Sequence, residues 1–310
     1  MSGFGYSPKP LLDLDLLKGA RKDLEQVGYP PRPDEKSTRE RKLWDSIASR
    51  HPKQQQTTPI TFAPHVARDG SSPLASQSWS GGVLPVRAEV YSSTEVKPLS
   101  EKPFGHVYGS WIIPNLRPQL KADQPVDGVY ELYNWVGLDG WETNETVKIG
   151  ILLELTVESG KVTNHESSIL VIFRRPQDPN FSAVKLDGLP VAPGDVVTGF
   201  VGPSSSGKSL AWFINESTNT WTSYVVNFEL PGRSAEWITT GQGPSDQGSN
   251  PFPNYGATVF FEGFAAQGAE VTKGIERSLL SNAVTVDGSA ERGHSILARA
   301  SSALRVSAST

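Results

Sequence analysis

The chain has no cysteine among its 310 residues, which excludes disulfides, thiolate metal sites and a cysteine nucleophile together. It has no excess of basic charge either: 29 Lys and Arg face 33 Asp and Glu, for a net charge of -4. No basic stripe stands out, so neither a nucleic-acid backbone nor an anionic membrane is expected as a partner. Long apolar runs are missing. Between Met1 and Val27 the charged residues Lys9, Asp13, Asp15, Lys18, Arg21, Lys22, Asp23 and Glu25 interrupt any signal-peptide core, and a cytoplasmic location is the expectation. The five histidines, His51, His65, His106, His165 and His294, are scattered without ligand spacing. No metal or other cofactor is expected.

What is abundant points to an all-β chain. There are 29 Gly and 24 Pro beside 12 Phe, 8 Tyr and 8 Trp, the composition of many short strands joined by tight turns. Residues 1–50 read as a helical N-terminal arm. Leu14, Leu17, Leu24 and Val27 recur at helical spacing ahead of the stop at Gly28-Tyr29-Pro30-Pro31, and Ser37 with Glu40 has the spacing of a capping box before Leu43, Trp44 and Ile47. Residues 51–75, polar and rich in Gln and Pro, read as a linker. From residue 76 to 310 the pattern is one of strands: Val83–Val90, Val107–Ile113, Val129–Val136, Thr146–Val157, Ser168–Phe173, Val196–Val201, Ser209–Ile214, Thr220–Phe228, Ala257–Phe264 and Ala303–Ser307. No helix-length crossovers separate them, which favours an antiparallel β-sandwich over a βαβ fold. Gly202 to Ser209 spells a phosphate-binding loop letter by letter. Leu210-Ala211-Trp212-Phe213-Ile214 after it reads as a strand, so an exposed hairpin turn is expected instead.

Several separated motifs resemble one family in order and spacing. Ser78-Trp79-Ser80-Gly81-Gly82-Val83, Gly109-Ser110-Trp111-Ile112-Ile113-Pro114, Trp135-Val136-Gly137-Leu138-Asp139-Gly140, Pro193-Gly194-Asp195, Ser234-Ala235-Glu236-Trp237-Ile238 and Pro253-Asn254-Tyr255-Gly256 are similar to the glutamic peptidases. The resemblance implies a concanavalin A-like antiparallel sandwich with a groove for an extended peptide. It also implies a catalytic glutamine and glutamate that activate water and stabilise the oxyanion. Neither is found where the motifs place it. Lys148 stands at the glutamine position of Val147-Lys148-Ile149-Gly150, and no glutamine occurs from residue 125 to 176. Thr240 replaces the glutamate that closes the Ala235-Glu236-Trp237-Ile238-Thr239-Thr240 strand. An acidic, aromatic floor has become the aliphatic Ile169–Phe173.

The expected activity is therefore non-proteolytic binding of a peptide, a glycan or a small apolar molecule. Two alternatives are an enzyme of repurposed chemistry on a hydrophobic metabolite and a residual acid endopeptidase. Candidate catalytic residues are Lys148, Glu154, Glu236 and Thr240, with Glu154 and Glu236 as a replacement dyad. Candidate ligand-binding residues are Trp135, Asp139, Lys148, Phe173, Glu236, Trp237 and Thr240. Asp139 either lines the groove or closes a tight turn. Lys148 either snorkels to solvent or carries a lowered pKa.

Overall fold

The computed structural model describes residues 5–10, 14–62, 79–86, 89–92, 95–97, 103–141, 143–176, 178, 180–205, 207–243, 253–267, 271–274, 279–281, 284–287, 290–300 and 303–308. Two antiparallel sheets stack face to face. From one edge the first runs β1 (Gly5–Tyr6), β16 (Thr220–Val226), β15 (Ser209–Asn215), β14 (Val196–Pro203) and β7 (Phe104–Ile112). It continues through β18 (Ala257–Gln267), β23 (Ala303–Ala308), β22 (Ala290–Ala300) and β21 (Val284–Asp287), with β19 (Val271–Gly274) also on β18. The second sheet runs β20 (Leu279–Ser281), β4 (Trp79–Pro85), β17 (Ser234–Gln242), β10 (Gly128–Asp139) and β11 (Thr146–Glu158). Then come β12 (Lys161–Arg174), β13 (Ser182–Asp187) and β3 (Thr58–Phe62). Two small hairpins, β5 (Glu89–Ser92) with β6 (Glu95–Lys97) and β8 (Leu120–Lys121) with β9 (Gln124–Pro125), stand apart.

Successive strand residues point to opposite faces, and that alternation decides which side chains make the core. In β10 the residues Tyr130, Leu132, Val136 and Leu138 point inward, as do Val147, Ile149, Ile151, Leu153 and Leu155 of β11. They meet Trp111, Val197, Ala211, Phe213 and Phe260 from the opposite sheet. Buried polar groups find partners: Thr258 Oγ1 donates to Asn134 Oδ1 at 2.7 Å between the sheets, and on the outer face of the first sheet the Ser110 and Thr198 hydroxyls lie 2.6 Å apart. Each pairing removes the cost of a buried unsatisfied group.

The arm lies on the outer face of the first sheet. Helices α1 (Arg21–Val27) and α2 (Thr38–Ala48) bury Leu24, Val27, Trp44 and Ile47 against Tyr108, Phe200, Trp212, Trp221 and Phe264. Tyr29 sits at the centre, its ring edge-on to Trp44, Trp212 and Trp221 at 5.8, 5.2 and 5.1 Å. Gly28, at φ 73°, closes α1 by taking the left-handed conformation that a side chain would resist.

Three sequence expectations need correcting here. Leu14 and Leu17 precede the helix, because the Asp15 side chain accepts the Leu17 N–H at 3.0 Å and holds a turn in place of helix. The capping box does not form: Ser37 makes no side-chain cap, and Glu40 turns instead to His106 Nε2 on β7. The described part of the linker is not a spacer. β2 (Lys53–Gln54) pairs parallel with β16, and β3 pairs antiparallel with β13, so residues 53–62 belong to both sheets. The linker beyond Phe62, His65 and the end of the Val83–Val90 strand at 87–88 lie outside the described residues. Gly202 to Ser209 does join two antiparallel strands, with Gly202 opposite Leu210 and Pro203 opposite Ser209, and no helix follows.

Candidate functional site

The face of the second sheet turned away from the core carries the candidate site. Residues here can be sorted into cross-strand rows, because each backbone pairing fixes which side chains are neighbours. One row reads Glu236, Gly137, Lys148, Ile172, Ala183; the next reads Ile238, Trp135, Gly150, Leu170, Lys185. Below it comes Thr240, Tyr133, Leu152, Ser168. The row after that reads Gln242, Glu131, Glu154, Glu166.

The register separates the two residues that the motifs had aligned with a catalytic pair. Lys148 and Thr240 are two strands apart and four residues apart along the strands. At about 4.8 Å between strands and 3.4 Å per residue, that is roughly 16 Å. They cannot share one water. The residue that shares a row with Thr240 is Leu152, with Tyr133 between them. All three are sealed, at 1%, 0% and 0% exposure. The Tyr133 hydroxyl donates to Glu131 Oε2 at 3.0 Å, so this row presents no carboxylate or amide to a water.

The replacement dyad is excluded in the same way. Glu154 lies six residues along β11 from the Glu236 row and is salt-bridged to Lys185. The structure brings together Lys148 and Glu236 instead. Their Nζ and Oε2 are 3.0 Å apart, with side chains only 15% and 5% exposed. Gly137 makes this possible. A Cβ there would fall 2.8 Å from Lys148 Cγ, so the two long side chains meet over a position that must stay bare.

Trp135 lies one row away, with the Lys148 ammonium 5.0 Å from its ring centre. Its Nε1 is buried and has no hydrogen-bond partner, an omission that ordinarily costs about 1–3 kcal/mol. Asn134, Trp135, Lys148, Gly150, Ile151, Leu170 and Ile172 border a dimple too narrow to hold a water molecule. Among the described residues no group of three His, Asp or Glu side chains could hold a metal ion.

Asp139 closes the β10 end. Its carboxylate accepts the Gly232 N–H at 2.9 Å and the Arg233 N–H, tying that turn to the strand. Burial pushes its pKa up to about 6, against the pull of the backbone N–H groups and with a smaller push from Glu236. The folded chain therefore holds this proton more tightly than the unfolded chain, whose reference value is 3.8. This group's contribution to stability is complete below about pH 4 and is lost as pH rises through about 6. Asp139→Asn is expected to flatten that part of the curve by on the order of 2–3 kcal/mol, read by urea denaturation at pH 4 and pH 7.

Two of the predicted ligand-binding residues face the wrong way. Phe173 is 1% exposed within the core, stacked 6.2 Å from Tyr224, and Trp237 is fully buried with its Nε1 donating to Tyr108 O at 2.8 Å. The pleat forbids adjacent Glu236 and Trp237 from lining one face. Leu170 and Ile172 of the expected aliphatic floor do lie on the site face, together with Ile238, which was not singled out. Counting by twos from Glu236 along the same strand reaches Ile238.

Comparison with known proteins agrees with the architecture. Residues 94–304 match the sequence profile of the Peptidase A4 family. No curated protein matches the chain. Among solved structures, scytalido-glutamic peptidase with a transition-state analog inhibitor is 14% identical, with a TM-score of 0.50 over 75% of this chain and 98% of that one. Aspergilloglutamic peptidase from Aspergillus niger is 20% identical, with a TM-score of 0.43 over 58% of this chain and 99% of that one. With two antiparallel sheets in place and more than half of its length matched to the profile, the chain belongs to the peptidase A4 family, the glutamic peptidases.

Proposed function

We propose that this protein is a non-hydrolytic member of its family that binds a small, largely apolar molecule on the outer face of the second sheet, where Trp135 is partly exposed. The observation that carries this reading is the sealed row Thr240, Tyr133, Leu152. A threonine hydroxyl and a leucine cannot take a proton from water or donate to an oxyanion as a glutamate and a glutamine do. Positioned acid–base groups are worth about 10²–10⁴ in rate and an oxyanion donor about 10²–10³. Losing both leaves little beyond the background reaction. Trp135, Leu170, Ile172 and Ile238 make this face apolar, Trp135 partly exposed and the other three buried, and this composition suits hydrocarbon better than the hydroxyl-rich surface of a glycan.

Incubation with denatured protein substrates from pH 2 to pH 7 should give no cleavage above the buffer control. Cleavage that disappears in Glu236→Gln would overturn the reading. A thermal-shift screen of peptides, oligosaccharides and hydrophobic metabolites supplies the positive arm, in which only the last class should raise the melting temperature.

A further inference from the structure

We propose a second binding site, where the arm meets the β16 side of the first sheet, for a small uncharged molecule of one ring bearing a hydroxyl, a simple phenol. It is independent of the face of the second sheet. A cavity of about 130 Å³ opens there, close to the space that admits a single aromatic ring. Its apolar walls come from Leu14, Leu16 and Val27 of the arm, from Pro52, and from Trp221 of β16, with the exposed His51 at the rim. No Asp, Glu, Lys or Arg lines it. A charged ligand would lose hydration there without gaining a counter-ion.

Gln54 fixes what the ligand must offer. It lies on β2 directly beside Trp221, and its Nε2 donates to Pro8 O at 3.2 Å and to Val27 O at 3.1 Å. Turned over, the amide would press Oε1 against those two carbonyl oxygens, so the chain sets its orientation. Oε1 is left as an acceptor without a hydrogen-bond partner, and unlike the buried Asn219 Oδ1 it is within reach of solvent. An amide oxygen only accepts, so the ligand must donate. Trp221 does not compete for the hydroxyl. Its Nε1 already donates to Pro52 O at 3.2 Å, which leaves the indole to add apolar surface. A phenol joins a ring of the right volume to a stronger donor than an aliphatic alcohol.

Calorimetry with phenol, anisole and benzoate against the native protein, Leu14→Trp and Gln54→Met tests this. Phenol should bind the native protein with a dissociation constant of about 1 mM. Anisole, which keeps the ring without the donor, and benzoate, which brings a charge, should each bind about three- to tenfold more weakly. Leu14 is only partly buried, so Leu14→Trp should fill the space with the fold intact and abolish phenol binding. Gln54→Met removes the acceptor and should let phenol and anisole bind alike. If that variant does not fold, the comparison of phenol with anisole on the native protein and the Leu14→Trp result decide. Equal binding of phenol and anisole by the native protein overturns the acceptor assignment. Phenol binding unchanged by Leu14→Trp puts the ligand outside this cavity, and no phenol binding removes the site altogether; neither result touches the reading of the second sheet.

Discussion

Trp237→Ala is expected to lower stability by about 4 kcal/mol, the range for emptying a buried tryptophan site. The indole is fully buried, packs where Gly109 leaves room for it, and donates to the Tyr108 carbonyl across the sandwich. Specific unfolding entropy of about 2.1 cal/mol/K per residue makes each kcal/mol worth roughly 1.5 °C in a chain of 310 residues, so the melting temperature should fall by about 6 °C. Scanning calorimetry reads this directly. A variant of unchanged stability that lost apolar ligands would place the indole in the groove after all. Near-native stability is not expected, because strand alternation puts Trp237 on the face opposite Glu236.

Lys148→Ala should cost about 3 kcal/mol at pH 7, since it strands the Glu236 carboxylate at 5% exposure without its counter-ion. The penalty belongs to the ionised carboxylate. An unpaired, buried acid is harder to ionise folded than unfolded, so the deficit should shrink as pH falls and the group protonates. Lys148→Met combined with Glu236→Leu should cost much less than the sum of the two single changes, because an apolar pair in the same space leaves no buried charge. Denaturant titration of the three variants at pH 4 and pH 7 gives the coupling. A Lys148→Ala protein within 0.5 kcal/mol of native at both pH values would show that the pair is solvated and does not shape the face.

Most of the sandwich could be read from composition and alternation. The expected strand at 129–136 became β10 and that at 146–157 became β11 with little change of boundary. The register was not legible. A motif offset counts residues, whereas chemistry depends on rows, and Asp139 pairs with Thr146 at the closure of the β10–β11 hairpin. Lys148 is then forced opposite Gly137, and Leu152 takes the row of Thr240. The faces of Phe173 and Trp237 were misjudged for a related reason: both were chosen by type, and the pleat sorts by parity. Residues 53–62 were hidden by composition, since an edge strand such as β3, exposed at Ile60 and reading Thr-Pro-Ile-Thr-Phe, looks like a polar connector. The Lys148–Glu236 pair was visible as two candidates and invisible as a pair, because 87 residues lie between them.

The first sixty residues clasp strands made much later. Arg50 binds Glu216 at 2.6 Å and the Thr57 hydroxyl meets that of Thr222 at 2.8 Å, across 166 and 165 residues of chain. At ribosomal rates of about 5–20 residues per second, those partners emerge on the order of ten to thirty seconds after the arm does. Throughout that interval Leu24, Tyr29 and Trp44 have nowhere to dock. The nascent chain thus carries an apolar segment uncovered, and a holdase on the ribosome would find a target there.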